Sequence, residues 1–192
     1  WAGIEELVYS ESAAPQDMLG AHVTDKGLLI QALIPTAARV EVKLALTGRR
    51  YPMELADEAG FFAVLISRKS VTPYTLMVTY DNGLEEELYD PYSFAPQYSL
   101  EELKKFEAGI HYGIYEKMGA HPMTIDGVKG VYFSVWRHAL CALALWETLI
   151  SGTADAIRCA VWERGREVFL NCLFLAWQKG KSISTRLRLG PG

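Results

Sequence analysis

The 192-residue sequence has only three cysteines, no clustered basic side chains and no long apolar run. Each shortage excludes something. Cys141, Cys159 and Cys172 all fall beyond residue 140 and are too few for a disulfide framework. The expected compartment is therefore a reducing cytoplasm. The longest apolar run, Ala139 to Trp146, falls far short of the roughly 20 residues that a membrane-spanning helix needs, so no membrane partner is expected. Lys and Arg number 19 against 23 Asp and Glu, a net charge of −4. Nucleic acid is not an expected partner, because a binder of phosphate backbone needs its cations gathered. The glycines punctuate strands rather than form a phosphate-cradling loop. A chain that opens on Trp1 is expected to be a fragment or a processed product, so the lack of a signal peptide says nothing.

What is present is unevenly distributed. Residues 1–136 carry 11 basic and 19 acidic side chains, whereas residues 137–192 carry 8 and 4. All ten Tyr lie at or before Tyr132 and all three Cys after it. A division near residue 136 follows.

Along the chain, Ile4 to Tyr9 has the pattern of one or two helical turns before Pro15. Short apolar, β-favouring runs come next, at Leu28–Ile34, Val40–Leu46, Phe61–Ile66, Tyr74–Tyr80 and Leu84–Tyr89, bounded by Gly, Pro, Asp or Asn. Asp81-Asn82-Gly83 joins the last two as a tight hairpin, with Gly at the position needing positive φ. Val40, Val42, Leu44 and Leu46 alternate with Glu41, Lys43 and Ala45, as in a sheet with one wet face. The predicted fold class is mostly β, an immunoglobulin-like β-sandwich. Ser99-Leu-Glu-Glu102 is a capping box opening a helix to about Glu107, which Gly109 stops. Leu19-Gly20-Ala21-His22 then recurs 99 residues later as Met118-Gly119-Ala120-His121. Gly27-Leu28-Leu29-Ile30 has its counterpart in Gly130-Val131-Tyr132-Phe133. Two tandem sandwiches are expected, the second starting near Gly119.

Asp90-Pro91-Tyr92-Ser93-Phe94, Gly109-Ile110-His111 and the run Tyr115 to His121 form a linked series. It continues through Asp126-Gly127-Val128-Lys129-Gly130-Val131 to Phe133-Ser134-Val135-Trp136. This series resembles the bacterial glycogen branching enzymes, α-glucan transferases of glycoside hydrolase family 13. Leu19 to His22, Pro35 and Gly60-Phe61-Phe62 resemble the extra N-terminal domain of the longer members. The resemblance covers roughly residues 15–136. Its signature positions are Gly20, His22, Asp90, Pro91, Tyr92, His111, Tyr115, Gly119, His121, Gly130 and Trp136. It implies an N-terminal β-sandwich domain over 1–105, a linker and the first strand of a family 48 carbohydrate-binding module over 106–136, and α-glucan as partner. In the family a catalytic barrel follows.

After Trp136 the family continues with Ala-Pro, but this chain has Arg137-His138. The departure has the form of a lost base. If each codon takes the last base of one printed codon and the first two of the next, the junction after Trp136 reads Ala-Pro. In the same way Leu145 to Ala160 read Val-Val-Gly-Asp-Phe-Asn-Phe-Trp-Asp-Gly-Arg-Arg-His-Pro-Met-Arg, which is the family's sequence without gaps. Phe169 to Arg188 are again family-like. The fixed TGG codon of Trp146 forces the glycine of this reading. Residues 137–192 are therefore expected to be a frame-shifted tail that leaves the second sandwich truncated and packs in a non-native way. Ala139–Ile150, rich in Ala and Leu, is helical by propensity.

Retaining glycoside chemistry needs two carboxyls about 5 Å apart, and the resemblance places both in the barrel. No catalytic residue is expected here. Glu85-Glu86-Glu87 is a solvated, edge-protecting run, and Asp90 shapes the turn before Pro91. His138, Cys141, Cys159 and Cys172 offer four zinc-ligand types, but their spacing matches no compact zinc module and the shifted reading accounts for all four. Neither a metal nor a cofactor is expected. His22 and His121 recur with the repeat, which points to a structural role. Glucan binding uses exposed aromatic faces. Tyr92 and Tyr112 could serve, or could pack between domains, while Trp136 reads as core. The shifted tail would place a Trp platform where Gly152 stands. The rival reading is a free-standing immunoglobulin-like module that binds glucan or another protein.

Overall fold

Alternating apolar residues become two facing sheets in the first part of the chain. A computed structural model describes residues 3–8, 15–95, 97–138, 142–149, 154–158, 161–164, 167–176 and 181–188, beyond Ser134 as backbone alone. It forms two compact units that part between Ser93 and Phe94, ahead of the 105/106 boundary expected from the sequence.

In the first unit, α1 (Ile4–Val8) precedes eight strands: β1 (Gly20–Thr24), β2 (Gly27–Leu33), β3 (Ala37–Leu44), β4 (Arg50–Pro52), β5 (Glu54–Asp57), β6 (Phe61–Ile66), β7 (Tyr74–Tyr80) and β8 (Glu85–Leu88). One sheet runs β1-β2-β6-β5 and the other β4-β3-β7-β8, and all their pairings are antiparallel. Leu28, Ile30, Phe62 and Ile66 of the first sheet meet Val40, Val42, Leu44, Leu76 and Val78 of the second in one buried cluster. This is the sandwich that period-two patterning predicts, because successive side chains of a strand point to opposite faces. On the outer face of the second sheet, Lys43 pairs with Glu87 at 2.9 Å, and Thr75 also donates to Glu87 at 2.7 Å. The acidic run thus lies on edge strand β8, partly paired.

The outer face of the first sheet is not left bare. Ile4, Leu7 and Leu19 bury Phe61 and pack on Leu33 and Ala63. Strands β1, β4 and β5 are not marked by the sequence pattern because they are short and mixed in polarity. Pairing with β2, β3 and β6, not their own pattern, makes them strands. Gly60 closes the β5–β6 turn at φ +89°, where a Cβ would lie 2.5 Å from the Ile34 oxygen and the Pro35 Cα. Only glycine fits there.

The second unit begins with α2 (Leu100–Glu107). Ser99 caps it as expected: its Oγ accepts from the Glu102 N–H, while Glu102 accepts from the Ser99 N–H. Gly109, at φ +70°, ends it, with the Ile110 N–H donating to the Lys105 oxygen at 2.9 Å. This is the six-to-one bond of a glycine-terminated helix. Leu103 and Phe106 pack with Tyr98, Ile125 and Tyr132, which is why the helix belongs to this unit.

Two strands follow, β9 (Gly119–Ile125) and β10 (Val128–His138), joined by a turn with positive φ at both Asp126 and Gly127. The sequence pattern marks only Val131–Trp136 as a strand here. Gly130 lies opposite Met123 on β9.

Beyond them run β11 (Ala142–Leu149), β12 (Ala154–Arg158), β13 (Val161–Arg164), β14 (Glu167–Ala176) and β15 (Lys181–Arg188). They form sheets ordered β13-β14-β10-β9 and β12-β11-β15. The helix expected from propensity at Ala139–Ile150 is corrected: Ala142–Leu149 is a strand. Its backbone is paired on both sides, Leu145 opposite Ile157 and opposite Thr185. Such pairing overrides the modest helix preference of Ala and Leu.

Candidate functional site

Both copies of the repeated motif have the same local structure. Gly20 and Gly119 take φ of +97° and +103°, each opening a strand that pairs with the next. His22 Nε2 lies 3.1 Å from the Leu19 oxygen and His121 Nε2 lies 2.7 Å from the Met118 oxygen. Each imidazole thus closes on the carbonyl three residues back, across a left-handed glycine that no side-chain-bearing residue would accommodate as readily. Each histidine ring is thereby tied to the backbone at the entrance to its hairpin.

Asp90 is the most buried charge-bearing residue of the first unit, 2% exposed. The Tyr74 hydroxyl donates to its Oδ2 and the Tyr92 N–H to its Oδ1 at 2.9 Å. Its backbone oxygen accepts from the Ser93 N–H and hydroxyl. Burial pushes the Asp90 carboxyl above the usual range, against the two hydrogen bonds and the nearby His22 charge. Burial, with the Asp90 charge beside it, pushes the Tyr74 phenol well up. The cluster fastens the 3-10 turn Pro91–Ser93 to the start of β7. Asp90 thus accepts bonds from both sides of the turn, and the sequence carried no sign of Tyr74 as its partner.

The sequence-level aromatic candidates part company. Tyr92 is half-buried and packs with Ile4, Leu7, Leu19 and Phe61, so its ring is engaged by the core. Trp136 stands on β10 opposite Phe169, and its side chain lies outside the described residues. So do those of His138, Cys141, Cys159 and Cys172, as does Gly152. Tyr112, by contrast, is 85% exposed, and Tyr115, singled out only as a signature residue, is 70% exposed.

These two rings stand on a braced segment. Behind them Ile114 and Met118 pack into the Tyr98–Leu103–Ile125–Tyr132 cluster, and His111 is half-buried. Lys117 donates to Glu102 at 2.5 Å and to the Gln97 oxygen at 2.9 Å, and its ammonium lies 5.4 Å from the centroid of Tyr98. The Tyr98 hydroxyl and Ser134 Oγ are 2.6 Å apart. Hydrogen bonds from Lys117 and Ser99 hold the Glu102 carboxyl down at about 2. The result is a pair of exposed phenol rings on backbone anchored from beneath. Such rings offer an apolar face with a polar tip. Among the described residues no three of His, Cys, Asp and Glu gather in a way that could hold a metal ion, and no helix is long and apolar enough to cross a membrane.

Residues 1–92 match the family described as alpha-1,4-glucan branching enzyme GlgB, N-terminal domain. The chain is 39% identical over 139 residues to the 1,4-alpha-glucan branching enzyme GlgB of Synechocystis sp.. It is 36% identical over 138 residues to that of Thermosynechococcus vestitus, and 38% over 133 residues to that of Paraburkholderia xenovorans. Each match covers 69% of this chain and 18% of the relative, so the similarity spans under a fifth of the relatives' length. The apo pullulanase of Paenibacillus barengoltzii overlaps 65% of this chain and 19% of its own, at 19% identity and a TM-score of 0.37. That likeness is too slight to bear on function.

Proposed function

We propose, on the premise that residues 1–92 belong to the N-terminal domain family of alpha-1,4-glucan branching enzymes, that this chain is the non-catalytic, glucan-contacting front part of such an enzyme. The parent cleaves an α-1,4 linkage and transfers the released chain to a 6-hydroxyl. The part present here holds long glucan chains and biases which lengths are transferred. The two carboxyls that retaining chemistry requires belong to a barrel beyond these residues.

The observation that carries the glucan contact is the exposure of Tyr112 and Tyr115 on an anchored segment. A pyranose ring has a C–H face that stacks on an aromatic face while its hydroxyl edges stay wet. With the backbone anchored, only the two torsions of each tyrosine side chain remain to be ordered on binding. The test is retention in native gels cast with glycogen. The chain should be retarded, and Tyr112→Ala with Tyr115→Ala should reduce the retardation severalfold while the urea-unfolding midpoint stays unchanged. Full retention of the double variant would remove the two tyrosines from the site.

We infer in addition that residues 137–192 are an out-of-frame continuation of the same gene. Two observations support this. Similarity to the relatives spans 69% of this chain, and the shifted reading restores family sequence over two long stretches. Sequencing the DNA across the Trp136 codon is the test. The expected result is a continuation into branching-enzyme sequence in another frame. A DNA sequence that encodes this tail with no such continuation would overturn the inference.

A further inference from the structure

The outer face of sheet β1-β2-β6-β5 is only half covered. At one end α1 packs over Phe61, Leu33 and Ala63. Toward the other end the same face opens into a groove of about 590 Å³, lined by Thr24, Asp25, Lys26, Leu29, Pro52, Glu54, Ala63, Val64 and Leu65. Leu29 lies opposite Leu65 and Gln31 opposite Ala63, while Ala63 lies opposite Glu54. The floor is therefore aliphatic, and Leu65, at 50% exposed, is left open to solvent.

The rim has a different chemistry. Asp25 and Lys26, at the β1–β2 turn, stand on one side and Glu54, on β5, on the other. None of the three forms an ion pair among the described residues. An apolar strip edged by charged donors and acceptors of both signs, none held in an ion pair, suits a neutral ligand with one C–H face and hydroxylated edges. One ammonium against two carboxylates opposes phosphates and acidic polymers.

We propose that this groove is a second α-glucan contact, on the first unit and separate from Tyr112 and Tyr115. Sugar C–H faces lie on Leu29 and Leu65, and hydroxyls meet Lys26, Asp25 and Glu54. It rests on the glucan reading above and adds a place where a long chain is held.

The experiment uses the whole chain. Leu65→Glu charges the floor at an exposed position, and native gels with graded glycogen give the apparent Kd. The variant should bind roughly tenfold more weakly, the scale on which removing a single central side chain weakens binding, with the wild-type circular dichroism spectrum. Titration of the wild-type chain with maltoheptaose, followed by amide NMR, needs no variant. Amides of residues 24–29 and 63–65 should shift, and the shifts should persist at about 0.5 M salt, since the interactions are not ionic. Unchanged affinity in Leu65→Glu together with unshifted groove amides would overturn the groove while leaving glycogen binding intact. Abolition of the shifts by salt would also overturn it, in favour of an ionic protein partner. Failure of the wild-type chain to be retained by glycogen at all would overturn both readings.

Discussion

Asp90 shows how one buried carboxyl organises its surroundings. It takes hydrogen bonds from Tyr74 and from the Tyr92 N–H in a place where water cannot substitute. Tyr74→Phe keeps the ring but leaves a buried carboxylate short of a donor. Removing one partner of a buried group costs about 1–3 kcal/mol, so the urea midpoint of the first unit should fall accordingly. The pH dependence has a definite sign. Because burial raises the Asp90 pKa in the folded protein, the folded state binds this proton more tightly than the unfolded state. Its contribution to stability is fully present below the unfolded pKa and is lost as pH rises through the folded one. Asp90→Asn should abolish that window, as measured by unfolding free energy against pH. The sequence marked Asp90 through its place before Pro91, a turn signal. The aromatic partner, 16 residues earlier, was not legible, because only sheet register brings the start of β7 beside the exit of β8.

The helix and hairpin elements were more legible. Ser99, Glu102 and Gly109 announce α2 and its end, since capping is a matter between residues a few positions apart. Ser99→Ala should destabilise the helix by about 1 kcal/mol, read as lost amide protection in hydrogen exchange. Glu102 runs opposite to Asp90. Its pKa is lowered to about 2, so its contribution is present above the unfolded value and is lost as pH falls toward 2. Protection of α2 should therefore fall below about pH 4.5, the ordinary glutamate range, and Lys117→Met should flatten that fall. The Lys117 link joins residues 15 apart and left no trace in local pattern. Gly60 is a stricter case. Gly60→Ala forces a Cβ to within 2.5 Å of backbone atoms at positive φ. It should destabilise the first unit by roughly 2–3 kcal/mol, measured by thermal or urea unfolding. Edge strands β1, β4 and β5 were illegible for the converse reason. Three to five residues of mixed polarity become strand only when a neighbour supplies the hydrogen bonds.

On the scale of the molecule, the similarity spans under a fifth of the relatives' length, and on the proposed reading no branching turnover is expected from this chain in an iodine-stain assay with amylose. Detectable α-1,6 branching by the purified chain would contradict that. Strand periodicity, turn residues, the helix cap and the repeated Gly-Ala-His motif were set by the sequence, because each depends on interactions within a few residues or on a simple alternation. The relation to branching enzymes was legible for a similar reason: it rests on the order of short motifs. Tertiary structure alone decided which tyrosine is packed and which is exposed. Tyr92 and Tyr112 look alike in sequence, yet one lies against Ile4, Leu7 and Phe61 while the other stands in solvent. It also decided where the first sheet is left uncovered. A side chain's exposure is the sum of what distant elements lay over it, and no local pattern encodes that sum.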